Sequence, residues 1–130
     1  MTTYAHPDVL DNGPAYIKTN CNKVVLTDVY SGNYITVTTT AKVAEAALAT
    51  TDFALAGADG AARTLTATLT GKSAGNAVKG ADPGTTLHLA FIDTVNSKVL
   101  YVTTVATQVI TSGNPVTLNS NPTYVSGQPA

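Results

Sequence analysis

The chain reads as a mainly β protein, an antiparallel β-sandwich or partly closed barrel with one short N-terminal helix packed on it. Three observations lead there. Short stretches alternate apolar and polar residues, as in ARTLTATLT (62–70) and NYITVTTT (33–40). Gly, Pro, Asn and Asp clusters punctuate the chain every 8–12 residues or so. At 130 residues the chain suits one domain, and no fixed-period repeat or linker divides it. The expected organisation is a single β domain over 1–130, with an N-terminal arm at about 1–6 and an extended C-terminal tail at about 119–130.

Residues 6–20 are the helix candidate. Pro7 suits a first helical turn, and Asp8 and Asp11 lie near its positive end. Val9, Leu10, Gly13, Tyr16 and Ile17 form one stripe, which Gly13-Pro14 interrupts. A kinked or two-piece helix lying on a sheet is expected.

Beyond it the period becomes two. KVVLTDVY (23–30) reads as a buried strand ended by Ser31-Gly32-Asn33, and NYITVTTT (33–40) as an alternating strand. AKVAEAALA (41–49) is ambiguous, since alanine favours helix while its neighbours are strand-like. Strand or extended loop is the preferred reading.

In ARTLTATLT, Leu65, Ala67 and Leu69 face one way and Thr64, Thr66, Thr68 and Thr70 the other. A row of threonines suits a solvated or partner-facing sheet. Gly71 and Gly75 bound a loop, and Gly80 to Gly84 another. TTLHLAFID (85–93) and KVLYVTTVA (98–106) form a hairpin about residues 94–97, apolar on both faces and so central to the sheet. QVITS (108–112) turns at Gly113-Asn114 into PVTLN (115–119). The tail SNPTYVSGQPA, taken alone, is expected to fray.

Composition narrows the function. Charged residues make up 12% of the chain, about half the usual 25%, so Thr, Ser, Asn, Gly and Ala must cover much of the surface. Such a surface is cheap to desolvate against a neighbour. With a net charge of −1 and seven basic residues, no two within three positions of one another, no phosphate-tracking patch forms. Nucleic acid is not an expected partner. No apolar run approaches the 18 or so residues that cross a bilayer, and MTTYAHPDVL lacks the basic and apolar regions of a signal peptide. Cys21 is the single cysteine, so no intrachain disulfide is possible.

No catalytic or metal-binding constellation emerges, and neither a cofactor nor an enzymatic activity is expected. His6 and Asp8 flank Pro7 as a weak ligand pair, better read as a helix start. His88 lies mid-strand as a structural histidine. Cys21 reads as a small buried thiol. Asp8 and Asp11 read as a solvated helix start rather than paired acid–base chemistry. GADGAAR (57–63) lacks the residues of a phosphate loop and reads as a hairpin turn, and Glu45, the only Glu, closes no calcium loop.

Tyr16-Ile17-Lys18-Thr19-Asn20, Thr51-Asp52-Phe53, Ala62-Arg63-Thr64-Leu65-Thr66, Ile92-Asp93-Thr94, Ser97-Lys98-Val99-Leu100-Tyr101-Val102-Thr103-Thr104 and Thr111-Ser112-Gly113-Asn114-Pro115-Val116-Thr117 carry a resemblance. Over residues 8–118 in outline the chain resembles small virion structural proteins of tailed bacteriophages. Gly13-Pro14 and the closing SNPTYVSGQPA depart from that pattern. The resemblance implies a virion protein made in the host bacterial cytoplasm, a capsid decoration (cement) protein that binds the major capsid protein or another virion protein. It would act as a homo-oligomer within the assembly. The expected contact residues are Thr2, Thr3, Tyr4 and His6 in the arm, Thr64, Thr66 and Thr68 on the threonine face, and Pro122, Tyr124 and Val125 in the tail. The alternative is a ligand-binding β module, such as a carbohydrate-binding tail or surface-adhesion domain, with Tyr4, Tyr30, Tyr34 and Tyr124 as its aromatic platforms.

Overall fold

The structure, a computed structural model, describes residues 4–5, 13–56 and 63–126. In chain order the elements are β1 (Tyr4–Ala5), α1 (Pro14–Asn20), β2 (Lys23–Thr27), α2 (Tyr34–Thr38), β3 (Lys42–Ala47), β4 (Phe53–Ala56), β5 (Arg63–Ala67), β6 (Lys72–Asn76), β7 (Leu87–Asp93), β8 (Lys98–Val105), β9 (Pro115–Leu118) and β10 (Thr123–Ser126). They build three antiparallel sheets, ordered β1-β8-β7-β2-β3, β10-β5-β4 and β6-β9. The sheets pack together, and among the described residues none closes into a barrel. This is the mainly β architecture of packed antiparallel sheets with a short helix that the sequence predicts.

The hairpin at 85–106 organises the molecule. Strands β7 and β8 pair from Leu87↔Val105 to Asp93↔Lys98, and every residue of β7 is buried. Its two faces serve two cores. Leu87, Leu89 and Phe91 join Val24, Leu26, Ile17, Phe53, Leu65 and Leu118 on the side covered by α1 and the smaller sheets. Ala90 and Ile92 join Val25, Val99, Val102 and Val37 on the side covered by α2. A fully buried side chain of this size contributes about 1.5–3 kcal/mol, so this hairpin is where stability concentrates. At its tip the buried Asp93 accepts from the amides of Val95 (3.0 Å) and Asn96 (3.2 Å), fixing the turn.

Several elements differ from expectation. Gly13-Pro14 stands at the start of α1: Pro14 occupies its first turn and Gly13 caps it at φ 71°. A missing proline N–H is harmless there, because first-turn amides lack helical partners anyway. Residues 6–12, the first part of the expected early helix, lie outside the described residues. The 23–30 strand stops at Thr27, after a register shift at Leu26/Thr27, and Asp28 instead pairs with Lys79 at 2.8 Å.

The largest correction concerns 33–40, which is helical over Tyr34–Thr38 rather than a strand. The Asn33 side chain accepts from the Thr36 amide at 3.0 Å, and the hydroxyls of Thr38 and Thr39 bond back to the carbonyls of Tyr34 and Ile35 at 2.9 and 2.5 Å. Val37 is the buried anchor. Residues 41–49 resolve as a strand, β3, as preferred.

Residues 71–75 are not a loop but lie largely in β6, with Gly75 at φ 65° beside an irregularity in the β6–β9 ladder. Residues 108–112 are not a strand; Ile110 makes one isolated bridge, to Ala81. Strand β9 therefore pairs with β6 and not with the segment before it. Nor is the tail frayed at 123–126: it forms β10 along β5.

Candidate interaction face

Strand β5 is the middle of the three-stranded sheet, and its alternation separates two surfaces. Leu65 and Ala67 are buried, with Leu69 continuing their line, while the half-buried Thr64 and Thr66 point to the other side and the exposed Thr68 extends that line. Pairing with both neighbours makes this row two-dimensional. One rank runs Ala54–Thr66–Thr123 and the next Ala56–Thr64–Val125. Ala54, Ala56, Thr123 and Val125 are all exposed, Val125 at 56%.

The face made by Ala54, Ala56, Thr64, Thr66, Thr68, Thr123 and Val125 therefore carries no ionisable side chain. Its hydroxyls are largely spoken for: Thr66 and Thr123 lie Oγ1 to Oγ1 at 3.3 Å, and Thr64 Oγ1 donates to the Ala56 carbonyl at 3.4 Å. Withdrawing such groups from water is far cheaper than withdrawing charges. Chemically it can do one thing well, which is to pack against another surface.

The structure thus brings together four of the expected contact residues, Thr64, Thr66, Thr68 and Val125. It adds Ala54, Ala56 and Thr123, which sequence reasoning missed. The signal for Thr123 was its two-residue spacing from Val125; Ala54 and Ala56 offered only that same spacing in FALA.

Two expected contacts turn the other way. The Tyr124 ring meets Tyr101 edge-on at 5.1 Å, and burial, with Tyr101 beside it, raises its pKa. Pro122 is half-buried and its carbonyl accepts from the Ala67 amide at 3.0 Å. Asn121 Oδ1 adds bonds from the amides of Leu69 (2.9 Å) and Thr70 (3.1 Å). These residues fasten the tail to its own chain. Tyr4 sits in β1 opposite Val102, while Thr2, Thr3 and His6 lie outside the described residues.

The reactive side chains are dispersed. Cys21 caps α1, buried at 3% exposure, with Sγ 3.5 Å from the Lys23 carbonyl. Burial pushes its pKa up to about 12, so thiolate is scarce at neutral pH. Glu45 bridges Lys23 (3.3 Å) and Lys42 (3.7 Å). Among the described residues no group of three His, Cys, Asp or Glu could hold a metal ion, and no helix is long and apolar enough to cross a membrane. The His6–Asp8 pair, Asp11 and residues 57–62 lie outside the described residues. Strands β4 and β5, which flank that last segment, do pair as a hairpin.

No known protein family, curated protein or solved structure matches the chain.

Proposed function

We propose that this chain is a non-enzymatic virion structural protein of a tailed bacteriophage, a capsid decoration (cement) protein that binds and stabilises neighbouring capsid subunits. The observation that carries the reading is the uncharged outer face of the β10-β5-β4 sheet, exposed on a chain with few charges elsewhere. A specific interface buries roughly 800 Å² on each partner. That exceeds what seven small side chains offer, so the surfaces around this face and the N-terminal arm share the contact with the major capsid protein or another virion protein. Copies of the chain would then meet as a homo-oligomer on the assembly.

A carbohydrate-binding or adhesion module is less well supported. Of the tyrosines whose side chains are described, Tyr30 alone is exposed, while Tyr34 and Tyr124 are half-buried. Density-gradient purification of intact particles, followed by immunoblotting and cryo-electron microscopy, tests the proposal. The chain is expected to co-purify at a fixed copy number and to appear as a regular density on the capsid. Its absence from purified particles overturns the reading.

A further inference from the structure

The outer face just described is not where the molecule holds its least comfortable group. His88 lies in the middle of β7, 4% exposed, in register with Thr27 of β2 and Thr104 of β8. Neither Nδ1 nor Nε2 has a hydrogen-bond partner, although a neutral imidazole carries one donor and one acceptor. On the side facing α2 the Tyr30 ring stands 5.8 Å from the imidazole, tilted by 57°. That ring belongs to residues 28–33, which make no ladder with the sheet, and is itself 39% exposed.

We propose that His88 is an acid-sensitive release for the cap formed by residues 28–38, which lifts from the sheet when the imidazole takes up a proton. Protonation turns the one acceptor nitrogen into a second donor and adds a positive charge, where among the described residues neither ring nitrogen has a hydrogen-bond partner. The flanking strands present Thr27 and Thr104 at this register, and the cap carries Tyr30, Tyr34 and Asp28, whose carboxylate pairs with Lys79 at 2.8 Å and keeps Oδ1 buried without a partner. No charged group contributes to the shift at His88: burial alone holds its pKa below the ordinary 6.5. In register with it Thr27 is buried and Thr104 exposed, and the cap meets the imidazole through the Tyr30 ring.

The sign follows from linkage. The folded state favours the neutral ring, so its stability is whole above pH 6.5 and falls as the pH drops below that value. Until the folded pKa is reached, each unit of pH costs up to about tenfold in the closing equilibrium. The sequence has two histidines, so a His6→Gln background isolates the signal of His88.

The test is an NMR titration of His88 in that background, with hydrogen exchange followed at the amides of Val37 and Ala41. These bond to the carbonyls of Asn33 and Thr36, both at 3.0 Å. His88 is expected to titrate below 6.5, and protection at the two amides to fall by up to tenfold per unit below that pH, ahead of the β7–β8 ladder. Tyr30→Ala should move the His88 pKa upward, and His88→Phe should remove the pH dependence. Titration at or above 6.5, or equal loss of protection across cap and ladder, would overturn the proposal. So would an unchanged pH dependence in His88→Phe.

Discussion

The hairpin β7–β8 and the sheet β10-β5-β4 are built from similarly alternating sequence, yet they sit in opposite surroundings. In β7 the residues between Leu87, Leu89 and Phe91 are His88, Ala90 and Ile92, and both sets are buried. In β5 the residues alternating with Leu65 and Ala67 are Thr64 and Thr66, and they face the other way. One strand is held between two layers; the other closes the molecule on one side and leaves a surface unused by the fold. Those outer positions, alanine on β4, threonine on β5, and threonine and valine on β10, are the ones that the proposed capsid contact would use.

The comparison can be broken at its stable end first. Phe91→Ala removes a ring that packs 6.1 Å from Phe53 and 5.8 Å from Tyr101. It should cost about 3–5 kcal/mol, read as a lower urea midpoint at unchanged slope. Tyr124→Ala tests whether the tail belongs to the fold. A half-buried ring on Tyr101 should be worth about 2 kcal/mol, with exchange protection lost along β10 before the main sheet. A tail held only by a partner would show no change in the isolated protein. Asn33→Ala removes the cap of α2 and should cost about 1 kcal/mol, seen by the same denaturation.

These effects track what the sequence made legible. The hairpin could be read because both strands alternate and a four-residue connection joins them, and the threonine row because its period is strict from Thr64 to Thr70. Helix α2 could not. YITVT has a strand's composition, and what overrides it is a set of local bonds, Asn33 to the Thr36 amide and the Thr38 hydroxyl to the Tyr34 carbonyl, together with one buried valine. Propensity is a weak prior over five residues. Strand β6, KSAGN, has a glycine and polar residues where a strand signal would be, and owes its place to pairing with β9. Strand β10 was hidden because Tyr124, its anchor, stands in a stretch punctuated by Pro and Gly. As for the face itself, its central row was readable, but its width was not. Width depends on registers between strands that lie far apart in sequence, as Thr66 and Thr123 do.

The smallest expected effect on stability belongs to that face. Ala54→Lys and Val125→Lys place a charge at each edge of it, on exposed side chains that the core does not use. Each should change stability by no more than about 0.5 kcal/mol. The occupancy of the double variant on purified phage particles, measured beside its denaturation curve, therefore tests the proposed role most directly. The expected result is wild-type stability with occupancy reduced at least tenfold. Wild-type occupancy in a normally folded double variant would contradict it.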